Sequence, residues 1–197
     1  MKGTRKMKKA LSILLFTAMI VALFAFPTSA AWDGTASASL KGDGTQDSPY
    51  LVETAEDLAF LAKSVNEGNT YEGKYIVQTA DIDLGGKEWA PIGERTAKPF
   101  IGLYDGNGYK IVNFYQTFSY RFGGLFAYMT TSADFTPGLI NITLEGKMDG
   151  GNRVGDIYSG ALLGWGQQSN NNPNKTVVLW LSGQMTRFLR VQRKNNG

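Results

Sequence analysis

The chain contains no cysteine and no histidine in its 197 residues. Without cysteine there is no disulfide and no thiolate metal site. Without histidine there is no imidazole base, no imidazole metal ligand, and no nucleophile of the Ser-His or Cys-His kind. That absence constrains function more than any other feature of the sequence. Long apolar runs are also scarce. Ala10 to Phe26 is uncharged over 17 residues, slightly long for a signal sequence and short for a membrane span. Lys2, Arg5, Lys6, Lys8 and Lys9 precede it, and Pro27-Thr28-Ser29-Ala30-Ala31 closes it with small residues. The pattern predicts a signal peptide over residues 1–30, cleaved after Ala30 or Ala31, with an uncleaved membrane anchor as the alternative. An export signal on a cysteine-free chain suits a bacterial exporter, with a secreted or cell-surface destination, and the expected source is Gram-positive.

Charge follows the same division. The whole chain has a net charge of +3 from 20 basic and 17 acidic residues, but five of the basic residues lie in the leader and none of the acidic ones do. The remainder is mildly acidic, so the basicity belongs to the leader. It does not point to nucleic acid, and membrane contact is expected only through the export signal. Lys175, Arg187, Arg190, Arg193 and Lys194 form a second basic stretch with no acid among them.

Residues 31–53 read as a polar lead-in segment. After it, Thr54 and Asp57 have capping-box spacing, Leu58, Leu61, Ala62 and Val65 share one helical face, and Gly68 supplies a stop. The prediction is an amphipathic helix over 55–67. Beyond it, short apolar runs (YIVQ, DIDL, FIGLY, KIVNF, GGLFAYM, GLINITLEG, GALLGW) alternate with Gly, Asn and Asp, which is an all-β pattern. Two internal echoes suggest stacked units. Gly123 to Ala127 matches Gly160 to Gly164, and Ile111-Val112-Asn113-Phe114 matches Leu139-Ile140-Asn141-Ile142. Asparagines at corresponding inward places would form a hydrogen-bonded ladder.

The segments TAEDLAFLAKSVNEG, DIDLGGKEWAPIG, FIGLYDGNG and GGLFAYM together resemble bacterial surface proteins carrying the GLUG motif, a short Gly-Leu-apolar-Gly repeat. Such regions also flank the catalytic part of some IgA-specific metallopeptidases. The resemblance covers roughly residues 42–166. It implies an all-β, right-handed parallel β-helix of few coils over 54–166, with 55–67 as its N-terminal capping helix. It also implies a module for adhesion, binding or spacing, and does not by itself imply a reaction. Residues 167–197 depart from the pattern: a polar loop and a basic tail follow, which is either a C-terminal cap or a sequence shifted out of frame on a truncated helix.

Several motifs that invite a chemistry fail on counting. Starting a calcium loop at Asp105 puts Tyr109, Lys110 and Gln116 where ligand, glycine and glutamate are required. A dinucleotide loop needs glycine where Ile111 stands. Asp105-Gly106-Asn107-Gly108 is therefore predicted to be a tight turn. Asp81 and Asp83 fall on one face of a strand, which allows metal or acid–base chemistry but more often means bonding to backbone at a turn. Asn141 and Asn174 begin glycosylation-type triplets, which carry no weight in a bacterial product. Trp89 is expected as a core or turn anchor. Tyr115, Phe118, Tyr120 and Phe122 are the candidate surface-binding aromatics. No catalytic residue, cofactor or metal is expected, and the expected partner is a host or cell-wall glycan or a protein. A polysaccharide-active β-helix enzyme and a fragment without activity are the competing readings.

Overall fold

A computed structural model describes residues 31–117, 121–149, 158–159, 162–167 and 178–180 of the chain. The expected signal peptide and most of the tail lie outside these residues, as do Phe118 and Tyr120.

The lead-in segment ends in a strand, β1 (Tyr50–Val52), and the helix α1 follows over Ala55–Glu67, as the sequence predicts. Its start is the capping box. Thr54 Oγ1 accepts from Asp57 N at 3.3 Å, and Asp57 Oδ2 accepts from Thr54 N at 3.2 Å. The short Asp side chain suffices because it also reaches Glu53 N at 3.1 Å. At the other end Gly68 takes φ 119, which a residue with a Cβ resists. Ala55, Leu58, Leu61, Ala62 and Val65 are buried, so the apolar stripe faces the core.

The remaining described elements are strands: β2 (Tyr75–Gln78), β3 (Ile82–Asp83), β4 (Leu103–Asp105), β5 (Lys110–Thr117), β6 (Phe122–Gly123), β7 (Phe126–Thr130), β8 (Gly138–Ile140), β9 (Thr143–Asp149), β10 (Tyr158–Ser159), β11 (Leu163–Gln167) and β12 (Val178–Trp180). Sheet A has the order β1-β2-β4-β8-β12 and sheet B the order β3-β5-β9, with β6 beside β10 and β7 beside β11. Every pairing between these strands is parallel. The chain therefore visits the same sheets in the same sequence on successive passes. The first runs β2 to β3, the second β4 to β7, and the third β8 to β11, with β12 returning to sheet A. In the first pass single parallel bridges, Ile92 to Phe126 and Phe100 to Met129, stand where later passes have strands.

Register stacks like on like. Ile76, Tyr104 and Leu139 are successive partners in sheet A, and all three are fully buried. Ile82, Ile111 and Leu144 form a second column in sheet B, and Ile92, Phe126 and Leu163 a third. The columns meet in one apolar core, joined by the buried face of α1. Burying each such aliphatic side chain contributes about 1.5–3 kcal/mol.

The two echoes fare differently. Leu163 pairs with Phe126, as the echo predicts, but Gly123 pairs with Ser159, one residue out of the echo's alignment; Gly160 and Ala161 lie outside the described residues. The asparagine echo does not stack. Ile111 pairs with Leu144 and Phe114 with Gly146, with a bulge between them that contains Asn113. Asn113 is exposed and Asn141 half-buried, so an inward asparagine ladder is not formed. Their backbones explain the likeness: both take positive φ, 54 and 52, Asn113 in the bulge of β5 and Asn141 between β8 and β9. Asparagine tolerates that conformation, so the same local signal marks both places.

Candidate functional site

The polar groups of the corners are arranged between passes. Asp81 Oδ1 accepts from Lys110 N at 2.8 Å. Asp83 Oδ1 accepts from Gly85 N at 2.8 Å and from Asn113 Nδ2 at 2.8 Å. Asp105 Oδ1 accepts from Asn107 N at 2.7 Å and from Asn141 Nδ2 at 3.0 Å. Glu88 accepts from Thr117 N at 3.0 Å and from its hydroxyl at 2.8 Å. In each case a carboxylate on one pass holds a donor on the next. The face shared by Asp81 and Asp83 is therefore a clasp, as the backbone-bonding alternative predicted. Among the described residues no group of three or more metal-ligating side chains converges.

Two glutamines repeat the device inside the core. Gln78 and Gln116 are fully buried. Gln78 Nε2 donates to Ala80 O at 2.8 Å and to Lys110 O at 3.0 Å, while its Oε1 accepts from Tyr104 Oη at 3.2 Å. Gln116 Nε2 donates to Trp89 O at 3.0 Å and Gly124 O at 3.3 Å, and Oε1 accepts from Gly124 N at 2.6 Å. Sequence reasoning missed both. The available signal was alternation: in YIVQ, Gln78 shares a face with Ile76. Burial pushes the Tyr104 phenol far above its ordinary range, with the nearby Asp105 charge adding to it.

The tight turn is observed. Asn107 and Gly108 have φ of 51 and 81, and Tyr109 N donates to Gly106 O at 2.8 Å. It joins strands of different sheets rather than a hairpin. A Cβ on Gly106 would come within 2.5 Å of Asn141 O and 2.9 Å of Ile142 Cα, so glycine is required there by the approach of the next pass.

The aromatic candidates are dispersed. Trp89 is buried and its Nε1 donates to Leu125 O at 3.1 Å, as expected of an anchor. Trp32 is buried against it, with ring centroids 5.9 Å apart. Neither ring is available to stack on a sugar. Phe122 is buried, edge-on to Tyr128 at 5.6 Å, with the Arg121 guanidinium 5.5 Å above its ring. Tyr115 is half-buried on β5.

The outward face of sheet A carries several apolar side chains. Leu51 pairs with Val77 and Tyr75 with Leu103, and Ile140 follows beyond Asp105. All five are half-buried and none belongs to the core cluster. Strands apolar on both faces read as continuous runs, which is why alternation does not reveal this face. Four to five short strands at about 4.8 Å spacing, about 10 Å long, make a patch of roughly 200 Å². That size is ordinary for a single polypeptide surface.

No known protein family matches the chain, and no solved structure matches it. Among curated proteins, a provisionally named Gly-rich membrane protein of Evansella cellulosilytica is 36 % identical over 115 residues, which is 55 % of this chain and 13 % of that protein. Halomucin of Haloquadratum walsbyi is 33 % identical over 91 residues, 41 % of this chain and 1 % of that protein. The chain thus spans a small part of these relatives, whose names are those of membrane or surface-type proteins. Among the described residues, no helix is long and apolar enough to cross a membrane.

Proposed function

We propose that the chain is a non-catalytic module of a bacterial secreted or cell-surface protein. It is a short right-handed parallel β-helix of the GLUG kind, capped by α1, that binds a glycan or protein or spaces other domains. The observation that carries this reading is the use of the polar side chains. Asp81, Asp83, Glu88, Asp105, Gln78 and Gln116 all direct their hydrogen bonds within the stack, most of them to the neighbouring pass. A general acid or base must reach a proton on its substrate, whereas each of these groups is engaged by backbone or side-chain groups of its own chain. The relatives' names support a surface setting.

The test is to express the chain with its own leader in a Gram-positive host and fractionate the culture. The purified product is then screened on a glycan array, a panel of cell-wall proteins and a polysaccharide panel with calcium. The protein is expected in the medium or wall fraction, retained by at least one surface and cleaving no polysaccharide. Retention in the cytoplasm contradicts the surface placement, and cleavage of any polysaccharide contradicts the non-catalytic assignment.

A further inference from the structure

An asparagine side chain is lost when the main-chain nitrogen of the next residue attacks its Cγ. The new C–N bond closes a succinimide ring and expels the amide nitrogen as ammonia. Water then opens the ring at either carbonyl, leaving aspartate or isoaspartate. Three conditions select the asparagine that reacts: no side chain on the following residue, a Cγ open to approach, and an amide weakly held by neighbours.

Five asparagines are among the described residues. Asn66 precedes Glu67, accepts from Gly93 N at 3.0 Å and Glu94 N at 2.9 Å, and donates to Pro91 O at 3.0 Å. Asn69 precedes Thr70 and accepts from Tyr71 N at 3.3 Å. Asn113 precedes Phe114 inside β5, and its Nδ2 bonds Asp83 at 2.8 Å. Asn141 precedes the buried Ile142, and its Nδ2 bonds Asp105 at 3.0 Å. All four fail the first condition, and Asn66, Asn113 and Asn141 fail a second because their amides are firmly held.

Asn107 meets all three. It is exposed and followed by Gly108. Its Nδ2 reaches Gln78 O only at 3.4 Å, and Gly108 N reaches Asn141 O only at 3.3 Å, both long for N–H···O bonds. Space around the following Cα is open, since a Cβ at Gly108 would meet nothing within 4 Å.

We propose that Asn107–Gly108 is a site of spontaneous covalent modification in the folded protein, converting to aspartyl and isoaspartyl forms through a succinimide. The change adds a carboxylate two residues from Asp105, whose Oδ1 already accepts from Asn107 N. The isoaspartyl form also lengthens the main chain by one carbon in the corner between β4 and β5. Register on either side is held by Asp105 with Ile140 and Lys110 with Thr143, so the extra atom is accommodated at the exposed corner. The modification thus alters the surface and leaves the stack paired.

The experiment is to hold the purified full chain in mildly alkaline buffer at 37 °C and follow ammonia release and peptide maps that resolve aspartyl from isoaspartyl products. Parallel samples are kept in urea, and circular dichroism monitors folding throughout. Position 107 is expected to convert first among Asn66, Asn69, Asn107, Asn113 and Asn141 in the folded protein, and faster still in urea, where the turn no longer restrains Gly108 N. Asn107→Gly, which suits the positive φ, is expected to fold and to remove the product at position 107 from the peptide map, leaving any from Asn196–Gly197. Gly108→Ala is expected to slow conversion in urea, where its effect on folding does not enter. If position 107 converts in urea but stays an amide in the folded protein, or if another of the five converts first, the proposal is overturned.

Discussion

Replacing Gln78 by leucine tests whether a buried amide joins one pass to the next. The side chain is fully buried and makes three hydrogen bonds, to Ala80 O, to Lys110 O and from Tyr104 Oη. Two of these partners, Tyr104 and Lys110, sit on the following pass. Gln78→Leu preserves bulk and removes all three bonds. The Tyr104 hydroxyl would be left unpaired in the core at about 1–3 kcal/mol, and the two corner carbonyls would lose about 0.5–1.5 kcal/mol each. Not having to bury an amide offsets part of this, leaving an expected net loss of about 2–4 kcal/mol. Urea unfolding followed by tryptophan fluorescence should show a lower midpoint with unchanged slope, since the surface exposed on unfolding is the same. Adding Tyr104→Phe removes the orphaned hydroxyl and should restore about 1–2 kcal/mol, a non-additivity that a double-mutant cycle reads directly. A Gln78→Leu protein as stable as the parent would refute the bridging role.

Four further outcomes are expected. Gly106→Ala should cost about 1–3 kcal/mol by overpacking, because its Cβ meets Asn141 O and Ile142 Cα of the next pass; thermal unfolding measures it. Trp89→Ala should cost about 3–5 kcal/mol, as expected for a buried ring with a satisfied indole, and a smaller loss in a chemical denaturation series would remove its anchoring role. Thr54→Ala should cost about 1 kcal/mol by deleting the helix cap, visible as a shifted midpoint in the same series. In alkali, the buried Tyr104 phenol is held above its unfolded-state pKa of about 10. Stability it contributes is therefore complete below about pH 10 and falls as pH rises beyond it, by up to about 1.4 kcal/mol per pH unit. Tyr104→Phe should flatten that decline in a pH series of urea midpoints.

Local signals were the most legible. The helix from Ala55 to Glu67 is written in its own cap residues and apolar face, so it needed no tertiary information. The apolar part of the Gly-rich echo stacks, Leu163 on Phe126, whereas Gly123 pairs with Ser159, one residue out of that alignment. The Asn113 and Asn141 echo misled, because a bulge within β5 and the turn between β8 and β9 both ask for positive φ. The Asp81 and Asp83 face could be read only as open alternatives, since the partners that settle it, Lys110 N and Asn113 Nδ2, lie a full pass away. Gln78 and Gln116 escaped notice for the same reason: a buried amide is acceptable only when its partners exist, and three of those partners, Lys110, Tyr104 and Trp89, lie far away in sequence.

Parallel register between successive passes is the claim on which the rest depends, and the absence of native cysteine allows it to be tested cleanly. Tyr75 and Leu103 are register partners on the outward face of sheet A, where neighbouring strands lie about 4.8 Å apart, within disulfide range. Air oxidation of the Tyr75→Cys/Leu103→Cys protein should give a monomeric disulfide in high yield. The one-residue shifted pair, Tyr75→Cys/Tyr104→Cys, places its two thiols on opposite faces and should stay reduced under the same conditions. Equal crosslinking of the two pairs, or preference for the shifted one, would contradict the stacked parallel account.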